Sequence, residues 1–153
     1  MCALAIFYAT LGLISMFPGS KFIHIYRSGP SVVESFLRKE WRKYSDYFIS
    51  ENEYRLRCAN YWNDCILEIE RQKYRLPLGD SLLFEFSYEN LCEYPVECLG
   101  NLAEFLMIDP DGFSFDLAQI VSQNYKVGNF AVNEKWNELL KVMSPGMELK
   151  GYF

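Results

Sequence analysis

FPGSKFIHIYRSGPSVVES, from Phe17 to Ser35, shows the organisation of the whole chain on a small scale. Lys21 to Tyr26 reads as a buried strand that ends in Arg27. Ser28-Gly29-Pro30 then turns the chain, and Pro30 or Ser31 begins a helix that carries Ser35. Ser31 with Glu34 fits a capping box, and Val32, Val33, Phe36 and Leu37 supply an apolar face. A strand that passes through a turn into a helix sets backbone N–H groups and the positive helix end beside the strand's C-terminal edge. The planar fork of Arg27 and the hydroxyl of Ser35 suit a phosphate-like anion there.

Downstream, Ser50 and Asn52 are candidate caps for a long helix from about Glu51 to Tyr74. Tyr54, Cys58, Tyr61, Trp62, Cys65, Ile66 and Ile69 recur along it at helical spacing, and Pro77 and Gly79 close the segment. SLLFEFSY, Ser81 to Tyr88, reads as a second buried strand. Tyr94-Pro95 opens a helix through Ile108, with Val96, Leu99, Leu102, Ala103, Leu106 and Met107 inward. Asp109-Pro110-Asp111-Gly112 is a turn. A last helix spans Asn133 to Val142, ended by Pro145-Gly146. Strands buried on both faces and followed by helices predict an α/β fold, a parallel sheet covered by helices, in one domain over residues 1–153. Two strands are too few for a complete doubly wound sheet, so the fold reads as incomplete.

The chain of 153 residues is half hydrophobic, enough for one sizeable core. A net charge of −5 leaves no domain-wide basic field, which excludes nonspecific nucleic-acid binding. Cys2, Cys58, Cys65, Cys92 and Cys98 form no CxxC pair, and His24 is the single histidine, so no metal site is expected. The irregular odd count fits reduced thiols in a reducing compartment, cytoplasmic in preference. Residues 1–17 are uncharged and apolar; without a basic leader they read as a buried helix rather than a signal peptide or anchor, or as a chain that begins inside a domain.

Four segments, in order, resemble the sulfotransferases that use 3′-phosphoadenosine 5′-phosphosulfate (PAPS). The first is FPxxKFI, with Arg27 at the strand end and Ser35 eight positions later. The second is FSYENLCEYPVECLGNLAEFLMI, Phe86 to Ile108, similar to that family's YEdL segment and proline-started helix. The third is VGNFAVNEKWNELL, Val127 to Leu140, similar to a late lysine-tryptophan segment, and the fourth is the closing Gly151-Tyr152. EYRLRCANYWNDCI and the final Gly-Tyr are most similar to tyrosylprotein and carbohydrate sulfotransferases.

The resemblance implies a P-loop-type fold and transfer of a sulfuryl group from PAPS to an acceptor hydroxyl or amine. It implies that Arg27 and Ser35 hold the donor's 3′-phosphate, that Tyr88 lies near the adenine and that Lys135 reaches the cofactor phosphates. Arg38, Lys39, Lys126 and Asn129 are further candidates for the same anion. The partners expected are PAPS or its product 3′-phosphoadenosine 5′-phosphate (PAP), and an acceptor that is a protein tyrosine, a carbohydrate or a small molecule. The family also includes enzymes of the Golgi lumen. The pattern departs from the family upstream: residues 1–16 hold no phosphate loop and no His, Asp, Glu, Lys or Arg, so the general base is unknown. His24 reads as a core histidine. The expectation is therefore the C-terminal part of such an enzyme, with an exposed sheet edge prone to self-association. Two alternatives stay open: a catalytically inactive nucleotide-binding or interaction domain, and a P-loop kinase relative.

Overall fold

The structure, a computed structural model, describes residues 12–38, 50–75, 81–109 and 134–153. In chain order these form β1 (Phe22–Tyr26), α1 (Gly29–Arg38), α2 (Glu51–Arg75), β2 (Leu83–Ser87), α3 (Tyr88–Glu93), α4 (Pro95–Leu106) and α5 (Glu134–Leu149). Residues 12–16 are also helical. Lys39, Lys126, Asn129 and most of the Asp109–Gly112 turn lie outside the described residues. Among the described residues no helix is long and apolar enough to cross a membrane. The chain divides into two compact units: α1, α2 and α5 belong to one, and β1, β2, α3 and α4 to the other.

In the helical unit, Ser50 caps α2 as expected. Its hydroxyl accepts from the Glu53 N–H at 3.2 Å, and its carbonyl accepts from Tyr54 at 3.0 Å. Tyr54, Cys58, Trp62, Ile66 and Ile69 are buried at three- and four-residue steps, the stripe that the sequence marks. On α5, Trp136, Leu139, Met143 and Met147 form the matching buried row.

Two glycines allow close packing on Trp62. A Cβ on Gly29 of α1 would lie 2.5 Å from Met143 Sδ and 3.1 Å from Trp62 Cε3; one on Gly146 would lie 3.0 Å from Trp62 Cζ3.

Two expectations in this unit are corrected. Pro145-Gly146 does not end the last helix, because α5 runs to Leu149 with Pro145 inside it. Proline removes one helical donor, but Gly146 N–H donates to Asn63 Oδ1 at 2.9 Å, and Met143, Gly146 and Met147 are buried. Tertiary packing outweighs the local signal. The true stop is Gly151 at φ 72°, where the Tyr152 N–H donates to the Met147 carbonyl at 3.0 Å. Similarly, α1 begins at Gly29, one residue before the expected start, and there is no capping box. Ser28 accepts the Val32 N–H at 3.1 Å and donates its hydroxyl to Ser31 Oγ at 2.8 Å, while Glu34 pairs with Arg38 at 2.6 Å.

In the sheet unit, β1 and β2 are parallel, paired from Phe22↔Leu83 to Tyr26↔Ser87. Parallel strands require a crossover, which the chain supplies through α1 and α2. Phe84 stacks on Phe105 of α4 with ring centroids 5.3 Å apart. Lys21, the lysine of FPxxKFI, donates to the Phe105 carbonyl and lies 5.0 Å from the centre of that ring. A cation at the last turn of a helix complements its carbonyl end, so this lysine is an anchor for α4.

β1 is not buried on both faces. Ile23 and Ile25 are 45% and 51% exposed, because α4 packs on β2 and these two side chains alternate to one side of β1. The second strand is also shorter than expected. It stops at Ser87, whose Oγ accepts the Asn90 N–H at 3.0 Å and so caps α3, a helix the sequence reading did not anticipate. Tyr88 is thus the first residue of a helix rather than the last of a strand. Val96 and Met107, expected inward, are exposed; Met107 closes α4 in the left-handed conformation at φ 60°, off the apolar stripe.

Candidate functional site

The last rung of the sheet pairs Tyr26 with Ser87. One residue further on each strand come Arg27 and Tyr88, so the parallel register delivers both to the same C-terminal sheet edge. This is the edge at which open α/β sheets bind ligands. The Arg27 guanidinium lies over the Tyr88 ring, 4.9 Å from its centre. Two residues 61 positions apart in sequence therefore form one unit, as a cation stacked on an aromatic face.

Cys92 completes the group. It stands one turn beyond Tyr88 on α3 and is 4% exposed. Burial pushes its thiol above the ordinary value of 9.0, opposed in part by a hydrogen bond with the Tyr88 side chain and by the Arg27 charge. Sequence reading missed Cys92. The signal was present in SYENLC: Ser87 as an N-cap would have started a helix at Tyr88 and set Cys92 four residues along the same face.

His24 also gains a partner the sequence did not reveal. Its Nδ1 is 2.7 Å from Glu85 Oε1, across the rung His24↔Glu85. The carboxylate can only accept, so Nδ1–H donates. Both side chains are mostly buried, and the Tyr26 ring is 5.7 Å from the imidazole. This is a cross-strand pair in mid-sheet, and its register could not be known before the strands were paired.

The other candidates belong to the helical unit. Ser35 is half-buried on the second turn of α1. Arg38, at the end of α1, is exposed and salt-bridged to Glu34. Lys135 is the second residue of α5. Among the described residues, no three His, Cys, Asp or Glu side chains converge as a metal site would need.

A family model described as the sulfotransferase family matches residues 5–111. The chain belongs to the sulfotransferase family. Among solved structures, it is similar to a sulfotransferase domain from the curacin biosynthetic pathway, with a TM-score of 0.56 and 16% sequence identity. That likeness covers 92% of this chain and 58% of the other, and it shows a shared fold. This sulfotransferase-family chain thus spans little more than half the length of the structure it matches. No curated protein matches. The family match includes Arg27, Ser35 and Tyr88, whereas Lys135 and the late lysine-tryptophan segment lie beyond it.

Proposed function

We propose that this chain forms the donor side of a sulfotransferase that uses PAPS, with Arg27 as the principal ligand of the 3′-phosphate. The observation that carries this reading is the placement of Arg27 and Tyr88 side by side, one residue past the last rung of the parallel pair. A guanidinium offers in-plane donors that match a phosphate two at a time, and its charge persists at every working pH. The resemblance makes Ser35 and Lys135 further candidate ligands of the donor phosphates and sets Tyr88 on the adenine side. The family membership supports a donor of this class.

In the full reaction a sulfuryl group passes in line from PAPS to an acceptor hydroxyl or amine, and a base takes the acceptor proton. Cationic side chains would neutralise charge on the leaving phosphate, as in phosphoryl transfer. The residues of this chain bind and orient the donor in that scheme.

Calorimetric titration with PAP and with ATP tests the reading. PAP should bind in preference to ATP, and Arg27→Ala should cost about 1.5–3 kcal/mol of PAP binding, the worth of a charged hydrogen-bonded contact. Ser35→Ala should cost less, about 0.5–1.5 kcal/mol. Equal PAP affinity in Arg27→Ala, with the fold intact, would return Arg27 to a packing role. Binding of neither nucleotide would favour an interaction domain, and preference for ATP a kinase-like one.

A further inference from the structure

The guanidinium of Arg27 rests on the face of Tyr88, and each of the two residues directly follows the end of a different strand. A free arginine side chain samples many rotamers, and fixing it costs up to about 2 kcal/mol of entropy. Stacking removes much of that freedom before a ligand arrives. It also uses the face of the guanidinium, whereas an anion is bound by the N–H groups along its edge, so both contacts are compatible in one geometry. The Tyr88 ring is itself held: Ser87 caps the helix that begins at Tyr88, and the Tyr88 side chain hydrogen-bonds with buried Cys92.

We infer that Tyr88 is a positioning residue for Arg27, fixing the guanidinium for an anionic phosphate through its ring face, in addition to any contact with a base. The inference rests on the reading of Arg27 as the donor's phosphate ligand. It assigns Tyr88 a role that ligands without adenine also feel, and it makes the aromatic ring, rather than the hydroxyl, the functional part of the side chain.

A double-mutant cycle in the full chain decides it. PAP and the base-free ribose 3′,5′-bisphosphate are titrated into the wild type, Arg27→Ala, Tyr88→Leu, Tyr88→Phe and the Arg27→Ala/Tyr88→Leu double variant. Circular dichroism checks that each is folded. Tyr88→Leu should weaken both ligands about threefold to thirtyfold, the range of a cation–π contact. Tyr88→Phe, which keeps the ring, should recover most of that loss. In the Arg27→Ala background Tyr88→Leu should cost nothing further, because its effect passes through Arg27.

A full Tyr88→Leu loss that persists without Arg27 would mean a disturbed sheet edge and overturn the inference. So would a loss confined to PAP, which would make Tyr88 an adenine contact only, or an unchanged affinity. If wild-type protein binds neither ligand, or Arg27→Ala binds both as well as the wild type, the donor-site reading itself falls and the inference falls with it.

Discussion

Lys150 and Glu70 meet at 2.6 Å, with 5% of the lysine side chain exposed. The pair fastens the residue after α5 to α2 deep in the helical unit. Glu70 also accepts from Lys73 at 3.2 Å, so the two lysines differ in consequence if one is lost.

Removing Glu70 takes the 2.6 Å carboxylate from a buried ammonium, whereas removing Lys150 leaves the carboxylate its contact with Lys73. Glu70→Ala should cost about 3–5 kcal/mol of stability. Lys150→Met should cost clearly less, because methionine keeps an apolar stem of similar length and Glu70 keeps its contact with Lys73. Urea denaturation of both variants checks the order; a larger loss for Lys150→Met would contradict it.

Gly146→Ala should destabilise by about 1–3 kcal/mol, the usual cost of overpacking. Its added methyl meets Trp62 and Asn63 at 3.0 Å and the Ile66 Cβ at 3.3 Å, and neither a tryptophan ring nor a hydrogen-bonded amide yields cheaply. Gly151→Ala should also destabilise, for a different reason: its Cβ meets no atom, but φ of 72° is strained for alanine. Thermal unfolding of the two variants measures both effects, and a stability gain in either would refute its cause.

His24 and Glu85 should show direct coupling of about 0.2–1 kcal/mol, the range of cross-strand pairs. The measurement is a cycle of His24→Ala, Glu85→Ala and the double variant in denaturant. Strict additivity would mean that the 2.7 Å contact adds nothing beyond each side chain's own packing.

Burial raises the Cys58 and Cys92 thiols above 9.0. Each folded thiol therefore holds its proton more tightly than the unfolded one. Their contribution to stability is fully present below that ordinary value and is lost as pH rises through the raised folded value. The urea midpoint should fall as pH rises past the ordinary value of 9.0, and fall less in a Cys58→Ala/Cys92→Ala variant. Both thiols should also react slowly with disulfide reagents in the native state and quickly in urea. An identical pH slope in wild type and variant would remove these groups from the account.

The sequence by itself determined the elements whose signals are local. The Ser50 cap and the Tyr54, Cys58, Trp62, Ile66 and Ile69 stripe needed only helical period and cap chemistry, and α2 runs Glu51–Arg75 as those residues demand. Alternation and apolar content located β1 to within a residue, and the FPxxKFI and YEN segments identified the family. Where a local rule met a tertiary contact, the contact prevailed. Pro145 reads as a stop, but the burial of Gly146 against Trp62 and its bond to Asn63 carry α5 through it. Only the pairing register could bring Arg27 beside Tyr88 and His24 beside Glu85, because each pair is separated by 61 positions that no local signal spans. Side-chain identity names what a residue can do, but a one-residue change of strand register turns every side chain to the other face. The partner that each of these residues meets is therefore a property of the folded sheet.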